Sequence, residues 1–420
     1  MPDENKPTFA EAFRFWLKLG FISFGGPAGQ IAIMQHELVE KRRWVDQSRF
    51  LHALNFCMLL PGPEAQQLAI YIGWLLHRTL GGIVAGSLFV LPSVFILWGL
   101  SAIYASYGNV PWIAAIFYGL KPAVMAIVAV ALIRIGRKAL TTWLMWLIAA
   151  LAFIAIYWLH VPYPVVVFGA LLIGFVARRT SHETAGVIQP PNESSWRRSL
   201  GVVVVCLAIW WTPIIAAGLW HGWDSTFFRE GVFFAKAAVI TFGGAYAVLP
   251  YVAEHAMNTY GWLQTGQMMD GLGLAETTPG PLIMVLQFVG FMGGWHNPGT
   301  MSPLVAATLG ALITTWATFT PCFLWIFLGA PYIERLRENE KLRGALSTVT
   351  AAVVGVILNL AVWFGLHVIF PPGRAVDWFA VAICALAFIG DAEVALGRCA
   401  RCDRQLSRRF GLPAGGRPLT

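Results

Sequence analysis

The chain repeats rare local patterns at one long spacing. The matching pairs are Phe24-Gly25-Gly26 with Phe242-Gly243-Gly244, Trp44 with Trp262, and Pro61-Gly62-Pro63 with Pro279-Gly280-Pro281. In all three pairs the spacing is 218 residues (242−24, 262−44 and 279−61). Because three such patterns stay in register over about 40 residues, chance is an implausible explanation. The chain therefore contains two copies of one structural unit.

Composition indicates that both copies lie in a membrane. Hydrophobic residues make up 57% of the 420 residues and charged residues only 12%, whereas about a quarter of the residues in a soluble domain are charged. Apolar runs approach or reach the roughly 20 residues that span a bilayer; they cover residues 83–104, 123–135, 144–159, 202–219, 349–370 and 378–389. We therefore predict an all-α polytopic membrane protein.

Charge predicts the orientation of the chain. Residues 1–9 lack the basic and apolar regions of a signal peptide, so we expect the first segment to insert uncleaved from the cytoplasm. The formal net charge is +8, but most of it lies in loops that the positive-inside rule places in the cytoplasm. The charge thus indicates topology, and we expect no nucleic-acid partner.

The basic clusters also predict the domain organisation. Basic pairs flank a polar linker, so the linker is expected in the cytoplasm, and the span after it crosses outward. The second copy then begins on the side opposite to the first, which makes the two units inverted-topology repeats. The predicted parts are a first repeat at 8–179, a cytoplasmic linker at 180–198, a linking transmembrane helix at 199–224, an inverted repeat at 225–395 and a basic cytoplasmic tail at 396–420.

One arrangement keeps every basic cluster in the cytoplasm. It requires re-entrant hairpins of Gly/Pro-broken half-helices at 9–40 and 48–78 from the inside, and at 228–258 and 266–294 from the outside. Eight segments then cross fully, at 82–106, 118–137, 140–160, 161–178, 199–220, 302–329, 343–369 and 376–395, and both termini lie inside. The alternative is continuous kinked helices that cross, but these would place the basic residues 134–138 outside.

The four breaks predict a polar cavity, because irregular backbone at membrane depth is tolerated only where it is buried in protein or lines such a cavity. In inverted-repeat transporters, half-helix N-termini there face anionic groups. Pro27 suits the first position of a helix, and Gln66 and Gln67 offer amides one turn into the next. In the second copy, Thr277 and Thr278 before Pro279-Gly280-Pro281 are expected to cap the helix and donate hydroxyls, and Tyr246 completes the set. The alternative is that Gly and Pro only allow helices to bend and pack closely.

Two carboxylates lie beside these breaks. Glu64 falls in the first turn of its half-helix, where it complements the helix dipole. Glu276 falls at a helix end that disfavours it, which makes it a candidate for proton coupling, with a structural role as the alternative. Lys121 is the other interior charge, and it has the alternative of snorkelling to the outer interface.

Four motifs resemble the chromate ion transporter family in its long, two-domain form. They are F-G-G-P-A-G-Q-I-A at 24–32, R-R-W at 42–44, L-P-G-P-E-A at 60–65 and A-E-T-T-P-G-P-L at 275–282. The resemblance covers nearly all of residues 8–395 and implies an efflux carrier for chromate, with sulfate as a structural mimic. The functional core that it implies comprises Gly25, Gly26, Pro27, Gln30, Pro61, Gly62, Pro63, Glu64, Gly243, Gly244, Glu276, Pro279 and Gly280. The second copy reads Gly-Gly-Ala where the first reads Gly-Gly-Pro, so the half-helix at Ala245 departs from the pattern.

We therefore expect a secondary transporter that exports chromate across a bacterial-type cytoplasmic membrane and confers chromate resistance. Sulfate or another divalent oxyanion is the alternative substrate, and an intramembrane enzyme is a remote alternative, since no hydrolase or metalloprotease motif is present. Cys399 and Cys402 form a lone C-x-x-C that falls short of the four ligands of a zinc site, so we predict no metal and no cofactor. The expected partners are the lipid bilayer and chromate or sulfate, with a homodimer left open.

Overall fold

A computed structural model describes residues 7–177, 193–330, 340–370 and 376–390, apart from residues 25, 59, 109, 243 and 265. Within these ranges the chain forms helices and loops and no strand, which confirms the prediction of an all-α membrane protein. The helices are α1 Phe9–Ile22, α2 Gly26–Gln35, α3 Gln47–Cys57, α4 Glu64–Tyr107, α5 Pro111–Ala139, α6 Trp143–Tyr157, α7 Tyr163–Ala177, α8 Glu193–His221, α9 Thr226–Ile240, α10 Ala245–Glu254, α11 Gln267–Thr277, α12 Val285–His296, α13 Pro303–Gly329, α14 Glu340–Ile369 and α15 Trp378–Gly390.

Five of the described helices are long and apolar enough to cross a membrane: α4, α5, α8, α13 and α14. Three further predicted crossings correspond to α6, α7 and α15. Because α6 and α7 contain only 15 residues each, they extend about 22 Å, which is less than the roughly 30 Å of the hydrocarbon core. A full crossing by these shorter helices stays a prediction.

Each of the four broken stretches consists of two short helices on either side of a loop. The second stretch ends inside α4, where His77 and Arg78 leave helical geometry and Arg78 takes a positive φ of 56°. A side chain on Gly73 would overlap the carbonyl of Gly81, so the segments 64–76 and 79–107 fold back on each other. The first completes the predicted stretch 48–78, and the second corresponds to the next predicted crossing.

The sequence repeat is also a repeat of backbone conformation. Trp44 N donates to Leu38 O at 2.9 Å, and Trp262 N donates to Ala256 O at 2.7 Å. A π-helical turn precedes each tryptophan, at His36–Lys41 and at His255–Thr259. These structures follow each other at the spacing of the sequence motifs, so matched residues adopt matched geometry. The bounds of the two units and their inversion stay predictions.

The two halves of the chain share one packed interior. Helix α13 of the second half packs on α4 of the first, α11 packs on α5, and α14 packs on α5, α6 and α7. Close approach depends on small residues: side chains on Gly82 and Gly86 would meet the rings of Phe327 and Phe323. The breaks of one half are thereby brought against the breaks of the other.

Candidate functional site

At the breaks, two reciprocal backbone hydrogen bonds connect the two halves of the chain. Gly62 N donates to Thr241 O at 2.7 Å, and Gly280 N donates to Ser23 O at 2.8 Å. Ser23 and Thr241 are themselves 218 residues apart (241−23), as are Gly62 and Gly280 (280−62). Each Pro-Gly-Pro loop is therefore bonded to the residue just before the Phe-Gly-Gly motif of the other half. We call these reciprocally bonded loops the crossed breaks.

Glycine is required at both N–H donors of these hydrogen bonds, Gly62 and Gly280. Gly62 and Gly280 adopt φ values of 111° and 115°, which L-residues with a side chain rarely occupy. A Cβ on Gly280 would overlap the hydroxyl of Ser93, which donates to Pro279 O. A Cβ on Gly62 would lie 3.1 Å from Cys322 Sγ and 3.1 Å from Gln67 Nε2. Because the backbone N–H groups of Gly62 and Gly280 are used in the reciprocal hydrogen bonds, they stabilise the site and do not face open space.

The N-terminus of α2 is open. Gly26 has a φ of 65°, and a Cβ built there would meet no atom within 4 Å. Pro27 follows in the first turn, and Gly26 and Pro27 are partly exposed. Below them the buried Gln30 donates to Gly280 O at 2.5 Å and to Ser23 O at 3.3 Å. The Gln30 amide thus supports these loops from the buried side, and the N–H groups at the start of α2 have no carbonyl acceptor within the helix.

The first turn of α10, the matched helix, contacts two carboxylates, one near its backbone and one through a tyrosine side chain. Gly244 is its N-cap with a φ of 94°, and a Cβ there would lie 3.4 Å from Glu64 Oε1 of the other half. Tyr246, in the first turn, donates to Glu276 Oε1 at 2.5 Å. Helix α10 thus begins at Ala245 even though the proline of the first copy is absent. Glu64 lies at this helix end, where the dipole stabilises negative charge, and Glu276 is held by the hydroxyl of a first-turn side chain.

These polar groups have no counterpart in the other copy. At the spacing of 218, Glu64 corresponds to Leu282, Glu276 to Met58 and Tyr246 to Ala28. The site therefore has a repeated backbone but an asymmetric set of side chains. The start of α2 has no acidic neighbour among these positions, whereas Glu64 faces the start of α10 and Glu276 accepts from the Tyr246 hydroxyl.

Several predicted roles differ in the structure. The prediction that Thr277 and Thr278 cap the following helix is wrong, because Pro281 is the N-cap and both hydroxyls donate to carbonyls of α11. Gln67 donates to Pro61 O at 2.7 Å, and Gln66 is fully buried. Both amides are thus directed into the protein. Gly25 and Gly243 lie outside the described residues.

The sequence prediction missed the partner of Lys121. Lys121 Nζ lies 3.4 Å from Asp270 Oδ1, and Tyr104 donates to Asp270 Oδ2 at 2.9 Å. Lys121 thus pairs with α11 and does not extend alone toward an interface. Asp270 could have been suspected as an acid in an otherwise apolar helix, but its partners on α4 and α5 are distant in the chain.

Comparison with known proteins identifies the family. A family model described as chromate transporter matches the chain twice, over residues 10–175 and 229–397. The chain belongs to the chromate transporter family. The chromate transport protein of Cupriavidus metallidurans is 31% identical over 363 residues, which cover 84% of this chain and 82% of the relative. No solved structure matches.

Two further family relatives span similar lengths. A probable chromate transport protein of Synechococcus elongatus is 31% identical, covering 84% of this chain and 83% of its own length. The chromate transport protein of Pseudomonas aeruginosa is 30% identical, covering 83% and 79%. The family resemblance read from the four motifs is confirmed.

Proposed function

We propose that the protein is a secondary transporter that exports chromate across the bacterial cytoplasmic membrane and thereby confers chromate resistance. The observation that carries this proposal is the pair of crossed breaks in a member of the chromate transporter family. An open helix N-terminus at Gly26 offers N–H donors, and chromate has oxygens that accept hydrogen bonds and none that donate them.

The direction of transport follows from the charge of the substrate. Moving one charge through the membrane potential is worth about 2.3 kcal/mol per 100 mV. A dianion leaving a negative interior therefore gains about 4.6 kcal/mol per 100 mV. Export needs no nucleotide for this reason, and a site without a permanent positive charge can release the anion outside.

The two carboxylates at α10 add proton coupling to the proposal. An ionised Glu64 or Glu276 close to a bound dianion would repel it, so a proton on one of them favours the loaded state. The hydroxyl of Tyr246 holds Glu276 in place. Because the proton and the dianion then favour each other's binding, they would cross together, and a pH gradient would change the rate of transport.

Uptake of radioactive chromate by everted membrane vesicles tests the proposal. Vesicles that contain the protein should accumulate chromate faster than empty vesicles, and an inside-positive potential, which corresponds to the negative cell interior, should accelerate uptake. Lys138 is exposed, so the variant Lys138→Gln serves as a control and should take up chromate as fast as the wild type. Uptake no faster than in empty vesicles would refute the proposal, and preferential uptake of sulfate would assign the site to another divalent oxyanion.

A further inference from the structure

The most buried carboxylate among the ion pairs of the described residues is that of Asp270. Its side chain is 6% exposed, against 13% or more for the carboxylates in the other pairs. Its Oδ2 accepts from Tyr104, while Oδ1 has Lys121 Nζ at 3.4 Å and no hydrogen bond within the described residues. Lys121 and Asp270 are thus close enough to attract each other, but no hydrogen bond at Oδ1 fixes the ammonium in place.

The lysine of this pair is accessible. Its side chain is 29% exposed, and it lies about 15 Å along α5 from the start of that helix. Nζ is next to Gly266, where a Cβ would lie 3.2 Å from it. Because Gly266 has no side chain, it offers the ammonium no competing charge at this contact.

The cluster lies on the same helix as the carboxylate of the central site. Asp270 and Glu276 are both on α11, six positions and therefore about 9 Å of helix rise apart. Helix α5 packs tightly here, since a side chain on Gly273 would overlap Leu120. In the predicted topology both α5 and α11 begin on the outer side. The Lys121 cluster then lies between the crossed breaks and the external face.

Packing alone is a poor reason for this ion pair. Two charges removed from water pay a desolvation cost that apolar residues of similar size avoid, and ionisable groups at membrane depth mark substrate or ion pathways. A lysine ammonium attracts a dianion more strongly than it attracts a single carboxylate at the same distance. The ammonium can therefore exchange one partner for the other.

We propose that Lys121 forms a second, transit binding site for the divalent oxyanion on the external side of the breaks. In the resting state Asp270, oriented by Tyr104, holds the ammonium. The outgoing anion displaces Asp270 from Lys121 and then leaves, and the Asp270 pair re-forms. This inference rests on the proposed transport of an oxyanion and adds the residue that receives it.

Chromate exchange measured separately from each face tests the transit site. Labelled chromate is supplied outside right-side-out vesicles, or outside everted ones, with unlabelled chromate inside. Lys121→Gln should raise the half-saturating concentration at the external face about tenfold or more, as expected for the loss of one charge-assisted hydrogen bond, and leave the cytoplasmic face unchanged. Asp270→Asn should lower the external value, because the competitor for Lys121 is neutralised. Lys138→Gln, on the same helix, should match wild type at both faces.

The opposite signs separate this inference from simple helix packing. If the pair only holds α5 to α11, both single variants impair exchange at both faces, and the apolar double variant Lys121→Met/Asp270→Leu restores it. That result, or an unchanged external value in a well-expressed Lys121→Gln, would overturn the transit site. Failure of wild type itself to exchange chromate would instead refute the proposed function.

Discussion

The two glycines at the crossed breaks allow a controlled test of the site geometry. Gly62→Ala and Gly280→Ala place the same methyl group at matched positions with nearly the same φ, 111° and 115°. The surroundings differ. At Gly280 the methyl overlaps Ser93, and at Gly62 it meets the ends of two side chains at 3.1 Å.

The expected magnitudes follow from these contacts. The positive φ costs roughly 1–3 kcal/mol in either variant. Gly280→Ala adds an overpacking cost of about 1–3 kcal/mol, because Ser93 must move and Pro279 O loses its hydrogen-bond donor. Gly62→Ala adds much less, since Cys322 Sγ and Gln67 Nε2 can shift by a few tenths of an ångström. Gly280→Ala should therefore be the more destabilised variant by the overpacking term.

Thermal unfolding of the detergent-solubilised protein measures this difference. Gly280→Ala should melt below Gly62→Ala, and Gly280→Ala/Ser93→Gly should melt above Gly280→Ala because the overlap is removed, although Pro279 O still lacks its donor. Transport in proteoliposomes should follow the same order. Equal melting of the two single variants, or no rescue by Ser93→Gly, would show that the crossed breaks are not packed as described.

Three further outcomes are expected. Glu276→Gln should retain chromate binding but lose the dependence of transport on an imposed pH gradient; a loss of that dependence only in Glu64→Gln would assign coupling to the other carboxylate. A cysteine replacing Asp224, which is 97% exposed, should react with an impermeant reagent in intact cells, whereas Ser195→Cys should react only after permeabilisation. Burial raises the pKa of Glu37, but hydrogen bonds from Lys41 and Arg42 outweigh it and keep this pKa below its usual range. The ionised Glu37 then stabilises the protein at neutral pH through Lys41 and Arg42, and this stabilisation is lost as the pH falls through the lowered pKa. Glu37→Gln should lower the melting temperature slightly at pH 7, in line with about 0–1 kcal/mol for such pairs, and have no effect below that pKa.

The sequence predicts the elements of this fold well because their signals are local. Glycine and proline mark each break, and apolar runs mark the long helices. The repeat then relates the two halves, because residues that are 218 positions apart make equivalent hydrogen bonds. Trp44 and Trp262, each after a π-helical turn, are examples. Ala245, which lacks the proline of the first copy, still begins a helix because Gly244 supplies the required backbone turn.

The partners of the polar groups are not predictable in the same way. Gly62 N bonds to Thr241 and Lys121 pairs with Asp270, contacts that join distant parts of the chain and leave no local pattern. The hydroxyls of Thr277 and Thr278 show the opposite problem. A threonine at a helix end can bond to carbonyls of the preceding turn, and this local competitor prevails over capping the helix that follows.

If the proposed function holds, a repeated backbone with unequal side chains would let one site handle an anion and a proton together. Two identical helix N-termini would both attract the oxyanion, and the protein would then have no place for the coupled charge. Here Gly26 leaves one N-terminus open, while Glu64 faces the other and Glu276 bonds to Tyr246 of the same helix. Because both carboxylates come near α10 from elements tied to the crossed breaks, any movement that separates the breaks also changes their environment and hence their affinity for protons. In the proposed function, the geometry that the repeat imposes would couple the two helix ends, and the residues that differ between the copies would assign each end its ion.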